Sequence, residues 1–133
     1  MKTDDEITKE LQEATDGLLW MSESDYPFEA VKWDEVTTIT EDLLRERAGE
    51  ADDAPIETNS IEEFFRIATG EQVWHSAQEQ TTARRYRRLV ELLTENLTDA
   101  KAYRIGRINL AVLILGRSPA GTIMGISTRL VET

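Results

Sequence analysis

Apolar residues first recur along the chain at helical spacing and later at every second position or in continuous runs, which predicts helices followed by a sheet-forming C-terminal third. Ile7, Leu11, Ala14 and Leu18 trace a first helix, capped by Thr3 or Asp4, with acids in its first turn that suit the helix dipole and a stop at Asp16-Gly17. Phe28 to Val36 alternates imperfectly between bulky and charged residues (Val31 and Trp33 against Lys32 and Asp34), as in a strand with one buried face. Thr40 caps a short helix that runs to Ala48-Gly49 with Leu43 and Leu44 inward. After an acidic loop over Glu50 to Pro55, Pro55 to Thr58 reads as a short extended segment. Ser60 and Glu63 then have the spacing of a capping box, ahead of a helix anchored by Phe64, Phe65 and Ile67 and ending at Thr69-Gly70. The longest helix runs from about Ser76 to Leu97, with Tyr86, Leu89, Val90, Leu93 and Leu97 in one stripe. Tyr103 to Ile108 alternates, and Ile108 to Gly116 holds the continuous run Leu110 to Leu115, expected of a strand covered on both faces. Ser118-Pro119-Ala120-Gly121 is a turn by composition, and Thr122 to Val131 returns as the last strand, so Ile108 to Val131 forms an antiparallel hairpin at the heart of the sheet.

One stretch fits this pattern less simply. From Gly17 to Phe28 the apolar run Leu18-Leu19-Trp20-Met21 leads into Ser22, Glu23, Ser24 and Asp25, and then into Tyr26-Pro27-Phe28, where proline forces its predecessor into an extended conformation. The apolar half anchors and the polar half is presented. A carboxylate between two serines on a loop fixed at both ends is a recognition point, because binding residues favour loops held by a rigid scaffold. The alternative is that Leu18 to Met21 are core and Glu23 is simply solvated.

At 133 residues the chain fits one domain. Its formal net charge of −11 disfavours direct binding to nucleic acid or to a membrane surface and suits a basic partner, although solubility or adaptation to a salty cytoplasm explains the same number. It contains no cysteine, which excludes disulfides, thiolate metal sites and a cysteine nucleophile. A charged N-terminus without the apolar core of a secretory signal sets a cytoplasmic location as the expectation.

Trp74 sits in the loop before the long helix beside the sole histidine, His75; tryptophan serves both cores and interaction hot spots, and a histidine without an orienting partner reads as structural. Arg84, Arg85, Arg87 and Arg88 form the basic cluster of the long helix. Flanking acids at Glu79, Glu91 and Glu95 favour a solvated, ion-paired face over a nucleic-acid contact. An enzyme reading would make Glu23 and Asp25 an acid pair, but no nucleophile, metal-ligand cluster or phosphate-binding loop accompanies them.

Taken together, Asp16-Gly-Leu-Leu, Met21-Ser-Glu-Ser-Asp-Tyr-Pro-Phe-Glu, Asp53-Ala-Pro, Phe64-Phe with Ala68-Thr, Tyr103-Arg, Ile114-Leu-Gly, Ser118-Pro-Ala-Gly, and Gly125-Ile-Ser-Thr followed by Val131-Glu-Thr resemble the nuclease A inhibitor family over essentially the whole chain. The resemblance implies an α+β fold, a single-domain α-β-α sandwich with helices around a central, mostly antiparallel sheet and a C-terminal β-hairpin. It also implies a non-catalytic protein without cofactors, monomeric when free, that plugs the cationic cleft of a sugar-non-specific, magnesium-dependent nuclease. Glu23 corresponds to the acid that engages the enzyme's substrate-binding cations, with Ser22, Ser24 and Asp25 around it. Thr133, two residues past the last strand, corresponds to the threonine that approaches the catalytic magnesium. Trp74 corresponds to an interface tryptophan, among neighbours Gln72-Val73 and His75 that depart from the family's pattern.

Overall fold

The computed structural model describes residues 3–16, 19–20, 26–33, 38–50, 53–64, 77–107 and 109–131. Helix α1 (Asp4–Thr15) starts at Thr3, whose hydroxyl accepts from the Glu6 amide at 3.2 Å while the Glu6 carboxylate accepts from the Thr3 amide at 3.3 Å. This reciprocal capping box satisfies two amides that would otherwise lack partners, and Asp4, Asp5 and Glu6 stand at the positive end of the dipole. Two short strands, β1 (Leu19–Trp20) and β2 (Tyr26–Pro27), pair antiparallel, and β3 (Glu29–Trp33) follows. Helix α2 (Glu41–Ala48) is capped by the Thr40 hydroxyl and ended by Gly49, whose φ of 72° is the left-handed conformation that a glycine adopts without strain. Strand β4 (Ile56–Ser60) leads into a helical turn over residues 61–64, in which the Glu63 amide donates to Ser60 Oγ at 3.1 Å. The Glu63 carboxylate accepts from the Asn59 side chain at 3.3 Å. The long helix α3 (Ala77–Asn96), β5 (Thr98–Ile105), β6 (Asn109–Arg117) and β7 (Ile123–Val131) complete the described chain.

Five strands form one antiparallel sheet in the order β3-β7-β6-β5-β4. β6 is central, and its continuous apolar run is divided by the pleat between two cores. Leu110, Val112 and Ile114 pack with Ile7 and Leu11 of α1 and with Tyr86, Leu89, Leu92, Leu93 and the adjoining Leu97 on the α3 side. Ala111, Leu113 and Leu115 pack with Trp33, Ile105, Ile123 and Leu44 of α2. The result is an α+β fold with helices on both faces of the sheet, as the family resemblance implies.

Several details differ from the hydrophobic pattern. β3 spans Glu29–Trp33, and residues 34–36 lie outside the described chain. Within it Trp33 is buried and Val31 partly buried in the core under α2 while Lys32 is exposed, as the alternation predicts, and Ala30 is partly buried against the core under α1 and α3. β4 is shifted towards Ser60. β5 begins at Thr98, five residues before the alternation becomes visible, because Asp99 in the left-handed region (φ 54°) and a register shift between Thr98 and Lys101 disturb the period of two. Leu92 belongs to the buried stripe of α3. The expected anchors Leu18, Phe65 and Ile67 and the stop at Thr69-Gly70 lie outside the described residues.

Two contacts set the closeness and the orientation of the layers. Gly125 pairs with Leu115, and a Cβ placed on it would collide with the Ile114 carbonyl oxygen. At the start of α1, Thr122 Oγ1 donates to Asp4 Oδ2 and ties the helix to the turn between β6 and β7. The Ser118 and then the Thr122 hydroxyl hold Asp4 below the ordinary aspartate range, against the opposing effect of burial. A depressed carboxylate contributes stability above its unfolded value, near pH 4, and loses it as pH falls through the lower folded value. Urea titrations of Gly125→Ala are expected to show a loss of about 2 kcal/mol or more, the cost of overpacking a closed site. Asp4→Asn should lower stability by about 1 kcal/mol at neutral pH and by less as the pH approaches 3, where the native carboxylate also protonates.

Candidate functional site

The direction of each element locates one end of the sheet as the place to look. α1 begins beside Thr122, just before β7, and packs along β3 and β7. At the C-terminal end of β7 the β1–β2 pair sits next to that strand, with registers Leu19↔Pro27 and Trp20↔Tyr26. Val131, the last described residue of β7, pairs with Asn109 at the same end. α3 runs in the opposite sense to α1: the adjoining Leu97 lies against Gly116 at the far end, and Arg85 reaches the last turn of α1 at the near end. Ala77 therefore lies roughly 12 Å further along the axis, eight residues at 1.5 Å each. So the described stems on both sides of residues 21–25, the stem before residues 132–133 and the stem after residues 65–76 all point towards one end.

Ser22, Glu23, Ser24, Asp25, Trp74 and Thr133 themselves lie outside the described residues, as does His75. What the structure describes is how their stems are held. Arg85 Nη2 donates to the Ala14 carbonyl at 3.0 Å and to the Asp16 carbonyl at 2.6 Å. Thr128 Oγ1 donates to the Pro27 carbonyl at 2.9 Å. Phe28, directly after the β1–β2 pair, is buried edge-on against Tyr86 of α3, with ring centroids 6.3 Å apart and planes at 71°. The acids Asp16 and Glu29 on these stems are exposed, Arg129 is drawn to Glu50 at 3.8 Å, and Arg107 is an exposed base on the turn after β5.

The arginine cluster divides. Arg84, Arg87 and Arg88 are exposed, and Arg88 pairs with Glu91 at 3.3 Å, as the charge pattern suggests. Arg85 does not belong to that solvated face: it is half-buried and turned towards α1. Its partners are 69 and 71 residues away in sequence, and Thr128 is 101 residues from Pro27, so no local motif announces either contact.

A concavity of about 490 Å³ lies between α2 and β3, lined by Val31, Ala111 and Leu113 together with Arg47 and Arg129. Arg47 stacks over Trp33 there at 5.2 Å from the ring centroid. Among the described residues no three His, Cys, Asp or Glu side chains are grouped to hold a metal ion, and no helix is long and apolar enough to cross a membrane.

These features define an α+β protein with a short hairpin and a strand end presented together, an arrangement suited to binding another protein. Residues 5–133 match the family described as nuclease A inhibitor-like protein, and the chain belongs to that family. No curated protein matches it. The family supports an inhibitor-type function directed at a nuclease, and it points to a non-catalytic role.

Proposed function

We propose that this protein is a stoichiometric, reversible inhibitor of a sugar-non-specific, magnesium-dependent DNA/RNA nuclease, and that it blocks the active-site cleft by acidic mimicry of the substrate. The observation that carries the reading is the gathering, at one end of the sheet, of the β1–β2 pair that flanks residues 21–25 and the C-terminal end of β7. A nuclease cleft presents cations and a hard divalent ion to phosphate, and carboxylate and hydroxyl oxygens are ligands that magnesium accepts. In this reading Glu23 replaces a phosphate oxygen at the cations, with Ser22, Ser24 and Asp25 supporting it. Thr133 brings its oxygens towards the metal, and Trp74 packs at the rim.

The net charge of −11 draws the protein to such a cleft and speeds encounter. The whole chain acts as one domain, monomeric when free, cytoplasmic and without a cofactor or an activity of its own; it contacts the nuclease and neither nucleic acid nor membrane. About 800 Å² of its surface would be buried, the usual share in inhibitor complexes.

Cleavage of DNA and of RNA by a nuclease of this type is expected to fall towards zero at an equimolar ratio in low salt, and the association rate to drop as salt rises. Undiminished cleavage of both substrates overturns the reading, and tight capture of a basic protein of another kind instead would assign the fold a different partner. Within the complex, Glu23→Gln should raise the inhibition constant roughly 30-fold or more, as expected for truncating a buried charge pair. Thr133→Val should weaken inhibition with magnesium present while leaving the unfolding midpoint unchanged; equal inhibition by Thr133→Val and the unaltered chain removes Thr133 from the site.

A further inference from the structure

We infer that Arg85 and Thr128 are positioning residues for the β1–β2 pair, the first holding the end of α1 that leads into it and the second the Pro27 carbonyl at its exit. The inference rests on the reading of the segment between α1 and β3 as the inhibitory loop. The C-cap residue of α1 is Asp16, at φ −59° and ψ 116°, its amide donates to the Glu13 carbonyl, and the last turn contains no basic residue of its own. A helix C-terminus with unpaired carbonyls and the negative end of the dipole calls for a cation or donors from elsewhere. Arg85 supplies both from α3, with one guanidinium nitrogen shared between the carbonyls of Ala14 and Asp16. Its stem rises from a helix whose next residue, Tyr86, is fully buried, so the guanidinium is carried by a rigid element.

The exit is held by a different chemistry. Thr128 is buried on β7, and its hydroxyl reaches the Pro27 carbonyl just beyond the sheet pairing of Glu29 with Ser127. Between the clamped carbonyls of Asp16 and Pro27 lie ten residues, and Leu19↔Pro27 and Trp20↔Tyr26 are paired within them. A segment whose ends are held before binding loses less conformational entropy on binding, and the gain appears chiefly as slower dissociation. The clamp also accounts for a cation on an acidic protein that stands apart from the exposed arginines beside it.

The test is a set of variants measured two ways: association and dissociation rates against the nuclease, and amide exchange in the free protein. Arg85→Ala is expected to raise the dissociation rate about tenfold with little change in association, Arg85→Lys by less, and Arg88→Ala not at all. Thr128→Val should act in the same direction as Arg85→Ala. Adding Glu23→Gln to Arg85→Ala should cost much less than the product of the two single effects, because both act through one loop; a purely global loss of stability would leave the effects multiplicative. In the free protein Arg85→Ala should speed exchange at the amides of β1 and β2 relative to those of β6. Dissociation rates unchanged in Arg85→Ala while Glu23→Gln weakens binding would overturn the clamp and leave the inhibitor reading standing. If the unaltered protein does not inhibit, that reading fails first, and the exchange experiment alone decides the clamp: unchanged exchange in β1 and β2 rejects it. Should Arg85→Ala not fold, Arg85→Lys and Thr128→Val provide the same comparison.

Discussion

The ladder between β6 and β7 is the contact on which the other layers depend. It joins nine residue pairs, from Asn109↔Val131 to Arg117↔Ile123, and sends alternate side chains of β6 into two separate cores. Each helical layer is seated on one face of this hairpin. A slip of one residue would exchange the two faces of a strand. The close approach of Gly125 to the Ile114 backbone makes such a slip costly, since a position where no Cβ fits cannot be occupied by its neighbours Met124 or Ile126. The same ladder decides where β7 ends, and with it which end of the molecule carries the candidate site.

What could be read from the sequence was what is local. Thr3 with Glu6 and Thr40 with Leu43 act within one turn, Gly49 supplies its own left-handed conformation, and Leu110 to Leu115 reports burial on both faces through simple continuity. Features built from distant partners were hidden. Phe28 is buried and Ala30 partly buried because α1 and α3 cover that side of the chain, which alternation with Lys32 and Asp34 does not reveal. Arg85 looked like one of four equivalent arginines until the axis of α1 was known. The start of β5 was masked by its own irregularity at Asp99. For the candidate site, the residue types at Ser22 to Asp25 and the family resemblance were legible from the chain, whereas the stems that gather at one end depend on α1 packing along β3 and β7 and on α3 running back against it.

The acidic charge takes on a more specific meaning beside this fold. Several cations are committed internally: Arg85 to the carbonyls of α1, Arg104 to Glu57 at 2.6 Å, and Arg45 through Nε to the Ala54 carbonyl at 2.8 Å. Each fixes one piece of backbone or one strand edge, so the basic residues serve as internal fasteners while many acids remain in water. Long-range attraction of a basic partner then does not compete with the contacts that hold the chain together, and salt that screens the first leaves the second largely intact.

α1 is fastened at both ends to parts of the chain far from it in sequence, by Asp4 to Thr122 and by the carbonyls of Ala14 and Asp16 to Arg85. Its twelve residues therefore act as a ruler of about 18 Å between the turn before β7 and the root of the β1–β2 segment. Adding or removing a single residue inside it would turn one fastening point by about 100° relative to the other. Changes of length are thus confined to the connections, and the distance from the tied turn to the presented end is a fixed dimension of the molecule.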